Sequence, residues 1–374
     1  MKHDNVIGYR PTWAEVNLSN LRFNIGQVRR IAGARTKIMA CVKADAYGHG
    51  LIAVSRELVS CGADYLGVAS IDEGIMLRRA GIRRPILVLG IVLKKDIAPL
   101  FKYKLSTTVC TEELCSALNR MGRKSGKKLS VHIKVDTGMG RIGVLDKKAA
   151  QFVKSVFRLS HLNIEGIFTH LASADTDRKF TLRQIAKFSK LVGGLKDSGI
   201  DIPLVHAANS MGLIGYKDAH FNMVRPGLVI YGLYPKSGLS LPLKPLLSLK
   251  ARIVYIKRVP KGWGISYGST YVTKRNTAIA IIPIGYGDGY PRNLSNKAPL
   301  LVNGKRFQVS GRVCMDQILI DLGTSKARVG DQVVLIGSQG KAKITARELA
   351  GLAGTIPYEI VCGLGSRIPR VYLR

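Results

Sequence analysis

A lysine follows an uninterrupted apolar run near the start of the chain. Residues 38–42 read IMACV, and Lys43 comes next, ahead of the segment ADAYGHG. Lysine is among the residues least often buried without a partner, and burial favours the neutral amine over the ammonium ion. A neutral lysine amine can form a Schiff base with an aldehyde. The segment therefore predicts that a carbonyl cofactor or substrate binds at Lys43.

Other polar side chains follow later apolar runs in the same way. They are Lys134, Asp136, Arg141, His170, His206, Asn209, Ser210 and Arg225, the last followed by Pro226 and Gly227. Most also have a purely structural interpretation. Either His170 or His206 fits a hydrogen-bonded core position, Arg225 fits an ordinary ion pair, and Asn209 with Ser210 fits a helix cap. Lys43 is the exception, because an unpaired buried lysine is costly.

The elements that would position these residues are short apolar strands that alternate with helical segments. The candidate strands are 37–42, 65–69, 85–89, 105–109, 129–135, 164–170, 204–208 and 223–231. This repetition predicts an α/β fold with an N-terminal (β/α)8 TIM-like barrel, whose reactive residues gather at the carboxyl ends of the strands. An open doubly wound sheet is the alternative, but no GxGxxG motif follows the first strand.

The pattern changes after about residue 238. The segment 235–245, PKSGLSLPLKP, reads as a linker, and short alternating strands follow it. Asn303-Gly304 in one of them is a strong hairpin signal. We therefore predict a barrel domain over residues 1–237 and a β-rich C-terminal domain over 238–374. The segment 12–17 either pairs with the C-terminal domain or leads into the barrel.

Composition narrows the classes of function. The formal net charge is +34, from 58 Lys and Arg against 24 Asp and Glu, which could indicate a polyanionic partner. The basic residues are scattered, however, and no recognition-helix pattern is present, so we predict no nucleic-acid partner. No stretch approaches the roughly 20 apolar residues of a membrane helix, and the first residues do not read as a signal peptide, so we expect a cytoplasmic protein that binds no membrane. The six cysteines show no CxxC pair and no zinc spacing, which predicts reduced thiols and no metal.

Pyridoxal phosphate is the carbonyl cofactor that best fits the residues around Lys43. Tyr47, Ser210 and the backbone amides around Gly227 could hold its phosphate. Arg225 is available to face the pyridine nitrogen, where enzymes of this kind place either an acid or an arginine.

Several ordered motifs carry a resemblance to a known family. They are VKADAYGHG at 42–50, KVDTGMGRIG at 134–143, HAANS at 206–210, RPG at 225–227, SYGSTY at 266–271, GYGDGY at 285–290, GRVCMDQ at 311–317 and IPYEIVC at 356–362. Together they make the chain resemble the alanine racemases over essentially its whole length. The resemblance implies a barrel with a β-domain, pyridoxal phosphate as cofactor, and an isomerase that interconverts L-alanine and D-alanine and supplies D-alanine for peptidoglycan.

The resemblance also implies two catalytic bases. Lys43 would hold the cofactor and act on one face of the substrate, and Tyr267 would act on the opposite face, across the interface of a head-to-tail homodimer. Arg225 would hydrogen-bond the pyridine nitrogen, and His170 would hold Arg225 and Tyr267 in a network. Two bases on opposite sides of a planar intermediate achieve racemisation directly.

The remaining roles implied by the resemblance concern binding. Arg141 would lie at the cofactor and the substrate carboxylate, with Met315 of the other subunit also at the carboxylate. Lys134 matches a lysine that is carbamylated in some members. The cofactor contacts would further include Tyr47, His170, Asn209, Ser210, Gly227, Leu228 and Tyr358. The corridor through which the substrate passes would include Asp175, Tyr286, Arg292 and Arg312.

Other functions stay open on the sequence. A racemase of serine or of a broad set of amino acids is the main alternative, because an apolar pocket cannot strongly reject one added hydroxyl. A pyridoxal-phosphate decarboxylase of basic amino acids shares the architecture, but it usually places an acid where Arg225 stands. A pyridoxal-phosphate homeostasis protein would need neither a second domain nor Tyr267.

Overall fold

The computed structural model describes residues 9–234, Gly238 and residues 241–374. Two compact units make up the chain. The barrel unit comprises residues 20–46 and 51–244, and the β-rich unit comprises the described residues up to Ser19, residues 47–50 and residues 245–374. The predicted boundary between residues 237 and 238 stays a prediction, because Ser237 and much of the proposed linker lie outside the described residues.

The secondary structure alternates along the barrel unit and is dominated by strands in the β-rich unit. The strands are β1 (Thr12–Asn17), β2 (Lys37–Cys41), β3 (Tyr65–Val68), β4 (Ile86–Val88), β5 (Ser106–Val109), β6 (Leu129–Asp136), β7 (Val144–Leu145), β8 (Leu162–Phe168), β9 (Leu204–His206), β10 (Met223–Val224), β11 (Leu247–Arg252), β12 (Tyr255–Val259), β13 (Gly264–Ile265), β14 (Tyr271–Val272), β15 (Thr277–Ile282), β16 (Pro299–Val302), β17 (Lys305–Gln308), β18 (Ile318–Gly323), β19 (Gln332–Gln339), β20 (Ala342–Ile344) and β21 (Arg370–Leu373). The helices are α1 (Leu18–Ala32), α2 (Lys43–Gly48), α3 (Leu51–Ser60), α4 (Ile71–Arg79), α5 (Ala98–Lys102), α6 (Glu112–Ser125), α7 (Asp146–Phe157), α8 (Arg178–Asp197), α9 (Ser210–Gly215), α10 (Ala346–Ala353) and α11 (Pro357–Cys362). Short 3-10 helices lie at Lys94–Asp96, Lys217–Ala219, Leu228–Tyr231, Tyr267–Ser269, Tyr286–Asp288 and Arg292–Leu294.

The barrel unit is built on parallel strands. They hydrogen-bond in the order β10, β2, β3, β4, β5, β6, β8 and β9, which is the order of the chain with its last strand placed beside its first. The ring continues from β9 to β10 through Asn222 N–H, which donates to Val205 O at 3.4 Å, and Arg225 N–H, which donates to Ala208 O at 2.9 Å. The predicted (β/α)8 barrel is therefore confirmed as a nearly closed ring of eight strands.

The last predicted strand, 223–231, is wrong in extent. Only Met223–Val224 is a strand, and Leu228–Tyr231 forms a 3-10 helix after Pro226 and Gly227. Pro226 has no N–H to donate to a neighbouring strand, although its carbonyl oxygen still accepts from Cys41 N–H at 3.0 Å, so regular pairing stops there. Leu228–Tyr231 is nevertheless fully buried, and the Tyr231 hydroxyl donates to Cys41 O at 2.8 Å. An apolar run indicates that a segment is buried, but it does not by itself distinguish a strand from a helix.

The β-rich unit holds a seven-stranded sheet with the order β17, β16, β19, β11, β1 and β21, to which β20 adds beside β19. Strand β1 pairs antiparallel with β11 and parallel with β21, so the segment 12–17 belongs to this sheet. The predicted hairpin at Asn303-Gly304 joins β16 to β17, and both turn residues have positive φ, as a type I′ turn requires. A three-stranded sheet, β12-β15-β18, and the hairpin β13-β14 complete the unit.

The six cysteines all lie in the described part of the chain and form no disulfide bond there. Among the described residues, no helix combines the length and the apolar character that crossing a bilayer would require.

Candidate active site

The backbone after β2 turns in the left-handed sense. Residues Ala44 to Tyr47 have φ between +52° and +55°, and Gly48 follows at +78°, so α2 is a left-handed helical turn. The left-handed conformation costs about 1–2 kcal/mol for each residue with a Cβ atom. Strain of this kind persists only where the surroundings over-determine it, and it is typical of functional sites. The turn begins at Lys43, the residue that the sequence singled out.

Two acidic side chains hold this turn within the barrel unit. Glu73, at the start of α4, accepts hydrogen bonds from Ala44 N–H at 2.6 Å and from Ala69 N–H at 2.7 Å. Asp45 accepts from Leu51 N–H at 2.7 Å, the first residue of α3. We call the Glu73 carboxylate and its two backbone donors the Glu73 clamp. The sequence gives no sign of this role for Glu73, because a glutamate in the first turn of a helix ordinarily needs no further explanation.

Lys43 itself is half-buried rather than buried. Desolvation is therefore a weaker reason for a reactive amine here than the sequence predicted. What the structure adds is position, because Lys43 lies at the carboxyl end of a barrel strand, where a (β/α)8 fold places its chemistry.

Arg225 is one of the most buried cations of the barrel unit, with 4% of its surface exposed. Its Nη1 donates to His206 Nδ1 at 2.8 Å, and its Nη2 donates to Thr169 O at 2.7 Å and to Ala207 O at 3.1 Å. Burial lowers the pKa of Arg225 to about 10, which leaves it charged at neutral pH. Within the described part of the chain its Nε–H has no hydrogen-bond partner, so this donor is available to a ligand.

His206 is thus the histidine that contacts Arg225. Its ring stacks on Phe168 with 4.8 Å between centroids, and it also hydrogen-bonds His132 at 2.9 Å. The sequence predicts His206 near the end of a strand but does not distinguish a structural role in the core from a functional one. The predicted network of His170 with Arg225 and Tyr267 stays a prediction. In the structure, the histidine that hydrogen-bonds Arg225 is His206.

His170 follows β8 and is surrounded by positive charge. Burial, followed by the positive charges of Arg225, Lys134, Arg141 and Lys43 in that order, lowers its pKa to about 3. We call these four cations the cation cluster. His170 is therefore neutral at neutral pH, and a negatively charged ligand would relieve the repulsion within the cluster.

The loop after β6 carries Arg141. The Asp136 carboxylate accepts from the backbone N–H groups of Gly138, Met139, Gly140 and Arg141, at distances of 2.8 to 3.2 Å. Burial opposes ionisation of Asp136, but these four hydrogen bonds lower its pKa below the usual value. The carboxylate therefore stabilises the conformation of the loop through these hydrogen bonds. The Arg141 side chain is exposed.

Lys134 lies inside the barrel with 4% of its surface exposed, and its Nζ is 5.4 Å from the Phe168 ring centre. Burial, followed by Arg141 and Arg225, lowers the pKa of Lys134 to about 8. Lys134 is therefore mostly charged at pH 7, with a minor neutral fraction of about a tenth.

The ends of β9 and β10 meet at Ser210. The Ser210 hydroxyl oxygen accepts from Gly227 N–H at 3.0 Å, which leaves its hydrogen to donate elsewhere. Asn209 caps α9, since its Oδ1 accepts from Gly212 N–H at 2.9 Å. Leu228 begins the 3-10 helix that follows Gly227.

In the β-rich unit, Tyr47 lies beside Tyr358, with 6.0 Å between ring centroids. The backbone of Gly48 makes this region tight, because a Cβ atom there would lie 2.1 Å from Val361 O. Gly48 also has a positive φ, so both reasons require glycine.

Three predicted site residues of the β-rich unit are exposed. Tyr267 is 70% exposed, Met315 53% and Tyr286 43%. Backbone hydrogen bonds connect the loops of two of them, from Tyr286 N–H to Cys314 O at 3.0 Å and from Gly287 N–H to Met315 O at 2.9 Å. The Ser266 hydroxyl, next to Tyr267, donates to Arg312 O at 2.7 Å. Arg292 and Arg312 are exposed in this unit, and Asp175 is exposed in the barrel unit.

Comparison with known proteins gives the family. The family model for the alanine racemase N-terminal domain matches residues 16–235, and that for the alanine racemase C-terminal domain matches residues 246–372. The chain belongs to the alanine racemase family. A curated alanine racemase from Halothermothrix orenii is 53% identical over 367 residues, which is 97% of each chain.

Solved alanine racemases share the fold. The structure from Clostridium difficile has a TM-score of 0.93 at 38% identity, over 98% of this chain and 96% of that one. The structure from Bacillus anthracis, solved with bound L-Ala-P, has a TM-score of 0.93 at 39% identity over the same shares. The resemblance that the eight motifs predicted is confirmed, and with it the enzyme class, an isomerase.

Proposed function

We propose that this alanine racemase uses pyridoxal phosphate and interconverts L-alanine and D-alanine with two bases, Lys43 and the partner's Tyr267. The observation that carries the proposal beyond family membership is the cation cluster. Lys43, Lys134, Arg141 and Arg225 lie around a neutral His170, and the nearby Asp136 carboxylate is used by backbone N–H groups. A ligand with a phosphate and a substrate with a carboxylate match that charge.

The residues of the barrel unit fit pyridoxal phosphate. Lys43 offers an amine, the Ser210 hydroxyl offers a donor, and the unpartnered Nε–H of Arg225 matches a ring nitrogen that only accepts. When bound, the cofactor supplies an aldehyde that captures the amino group of the substrate and an aromatic ring that accepts electron density when the α-proton leaves.

Arg225 would limit how strongly the cofactor ring accepts electron density. A guanidinium whose pKa is about 10 does not readily give its proton to a pyridine nitrogen. Arg225 would therefore donate a hydrogen bond to a ring nitrogen without giving up its proton, and this would favour rapid return of the α-proton over side reactions. The three hydrogen bonds from Nη1 and Nη2 hold the guanidinium in place without using its Nε–H.

The two bases transfer protons on opposite faces. The Lys43 Nζ accepts or returns the α-proton on one face, and the Oη of the partner's Tyr267 does so on the other. The 70% exposure of Tyr267 and the 53% exposure of Met315 in the single chain support their contribution to another subunit, in a head-to-tail homodimer. Each base can therefore remove the α-proton from only one enantiomer of the substrate.

Binding of the substrate carboxylate is assigned to Arg141 and to the backbone amide of the partner's Met315. The pKa of Lys134, about 8, supports its carbamylation, because only a neutral amine adds to carbon dioxide. The carbamate would replace a cation by an anion next to Arg141 and so hold that guanidinium in place. Carbamylation also removes part of the repulsion within the cation cluster.

The remaining assignments rest on the resemblance. Asn209, Ser210, Gly227 and Leu228 bind the cofactor from the ends of β9 and β10, and His170 supports it. The phosphate contacts of Tyr47 and Tyr358 and the corridor residues Asp175, Tyr286, Arg292 and Arg312 stay predictions. So do a cytoplasmic location and the supply of D-alanine for peptidoglycan.

The test is racemisation of L-alanine by the purified protein with added pyridoxal phosphate. We expect a yellow protein that produces D-alanine, and a Lys43→Ala variant that is colourless and inactive but folded. Rates on alanine, serine, lysine and arginine distinguish the substrate alternatives. A rate on alanine well below that on another amino acid would contradict the alanine assignment, and release of carbon dioxide from lysine or arginine would indicate a decarboxylase.

A further inference from the structure

Four side chains form a line of hydrogen bonds through the interior of the barrel unit. Glu165 Oε2 lies 3.3 Å from His132 Nε2, His132 Nδ1 lies 2.9 Å from His206 Nε2, and His206 Nδ1 lies 2.8 Å from Arg225 Nη1. Both histidines are fully buried, and the Glu165 side chain is 21% exposed. We call this line the relay.

The direction of every hydrogen bond in the relay follows from Arg225. A guanidinium has only donors, so His206 Nδ1 must accept and the proton of His206 must sit on Nε2. That proton is donated to His132 Nδ1, so His132 in turn carries its proton on Nε2. This N–H meets the Glu165 carboxylate, which accepts it.

Neither histidine of the relay can take a second proton without a conflict. A proton on His206 Nδ1 would face the N–H of Arg225, and a proton on His132 Nδ1 would face the N–H of His206. Burial lowers the pKa of both histidines, and the charge of Arg225 lowers it further in each. Both rings are therefore neutral, each in a single tautomer.

Glu165 is the end of the relay opposite Arg225, and several hydrogen bonds hold its carboxylate in place. Besides His132, its carboxylate accepts from the Tyr65 hydroxyl at 2.9 Å and from the Ser106 hydroxyl at 2.9 Å. Burial opposes its ionisation, but the hydrogen bonds from His132, Ser106 and Tyr65 lower its pKa below the usual value of 4.5. The described ion pairs include none with Arg225, so the acceptor chain behind this buried cation ends at the Glu165 carboxylate.

We propose that Glu165 is a positioning residue for Arg225, acting through His132 and His206 by fixing the ring nitrogen that accepts from the guanidinium. Without the carboxylate, the N–H of His132 loses its acceptor. The proton of His132 can then move to Nδ1 and that of His206 to Nδ1, which places an N–H against Arg225. The arginine is displaced from its three acceptors. The consequence for catalysis rests on the proposed function, in which Arg225 faces the cofactor ring.

The primary test is nitrogen-15 NMR of the holoenzyme labelled in histidine, at neutral pH. For the wild type we expect His132 and His206 to be neutral with the proton on Nε2. A wild-type spectrum with the proton of His206 on Nδ1, or with either ring charged, overturns the proposal without any variant. In Glu165→Leu we expect signals of the other tautomer at both rings. Unchanged tautomers in that variant also overturn it.

Two further variants separate positioning from folding. Glu165→Gln keeps an oxygen that can accept from His132, so we expect wild-type tautomers and a racemisation rate close to normal. Tyr65→Phe removes a different donor to the same carboxylate and leaves the relay intact, so it controls for general loss of stability at this end of the barrel. We expect Glu165→Leu to lower kcat about 10- to 100-fold, by analogy with lost second partners of metal ligands. A loss of the same size in Tyr65→Phe would refute the proposed role.

The spectrum and the rate answer separate questions. Tautomers as expected in a protein that does not racemise alanine would contradict the proposed function and leave the relay in place. Normal racemisation by Glu165→Leu with altered tautomers would show that the relay does not position Arg225.

Discussion

The two units present their predicted site residues in opposite ways. In the barrel unit, Arg225 and His206 are buried and held by neighbours at hydrogen-bond distance. In the β-rich unit, Tyr267 and Met315 are more than half exposed on loops that are fixed mainly through their backbones. The difference separates groups that one chain positions by itself from groups whose side chains are left for a ligand or another subunit.

This contrast has a physical basis. A buried charge must be hydrogen-bonded, so the surroundings of Arg225 are over-determined, and few arrangements of its neighbours are allowed. An exposed tyrosine pays no such penalty in the single chain. We therefore expect substitutions in the barrel unit to affect stability together with activity, and substitutions at the exposed residues to affect activity alone.

The largest effect is expected from Tyr267→Phe. The variant keeps the ring and loses the hydroxyl that would transfer the proton, so exchange of the L-alanine α-proton with solvent should fall about 10²- to 10⁴-fold. Exchange from D-alanine should fall much less, and the yellow colour and the unfolding free energy should not change. Deuterium incorporation from each enantiomer measures this.

Equal losses from L-alanine and D-alanine would contradict the assignment of Tyr267 to one face. A loss of stability in Tyr267→Phe would break the contrast between the units, because it would show that the phenol contributes to the fold of the single chain.

The next effect concerns Glu165 and pH. The structure lowers the pKa of Glu165 from 4.5 to about 2, so its contribution to stability is complete above pH 4.5 and is lost as the pH falls toward 2. The difference in unfolding free energy between the wild type and Glu165→Gln should therefore shrink as the pH falls. Denaturant titrations between about pH 5 and pH 3 test this.

The pKa of His132 depends on the Glu165 carboxylate, so the titration of His132 contributes to this difference together with that of Glu165. A difference that stays constant over this range would show that Glu165 is not ionised through its hydrogen bonds in the folded protein.

A smaller effect is expected at the Glu73 clamp. Glu73→Ala removes the acceptor of Ala44 N–H and Ala69 N–H, and should lower the unfolding free energy by about 1–3 kcal/mol. The left-handed turn should then hold Lys43 less firmly and lower the racemisation rate as well. Asp72→Ala is the matched control, because Asp72 is an exposed acid in the same first turn of α4. An equal loss in Asp72→Ala would assign the effect to the helix terminus and not to the clamp.

The smallest effect is expected from Gly287→Ala, in the loop of Tyr286. An added Cβ atom would lie 2.7 Å from Arg367 Nη1 and 3.1 Å from Met315 O, and the arginine tip can move. Stability should change by less than about 1 kcal/mol. Gly285→Ala is the contrast in the same loop, because its Cβ atom would lie 2.2 Å from the backbone oxygen of Cys314. Similar unfolding free energies for the two variants would contradict this difference in steric contact.

Much of the fold followed from local pattern. Apolar runs such as 65–69 and 129–135 lie close to the strands that formed, and Asn303-Gly304 gave the correct hairpin. The run 223–231 failed, because burial leaves the choice between strand and 3-10 helix to the backbone around Pro226 and Gly227. The left-handed turn at Ala44–Tyr47 had no local signal, since alanine and tyrosine rarely adopt positive φ without support from elsewhere in the fold.

The same distinction between local sequence pattern and tertiary contacts applies to the site. The sequence by itself determined the family, because the lysine, the arginines and the tyrosine stand in motifs long enough to identify the alanine racemases. Only the tertiary structure decided which groups hold them. Glu73 lies 30 residues from Lys43, and Glu165 lies 60 residues from Arg225. Neither separation is one at which residues contact each other within a single helix or turn. Hydrogen bonds between neighbouring strands and helices create these connections, so they exist only once the barrel has formed.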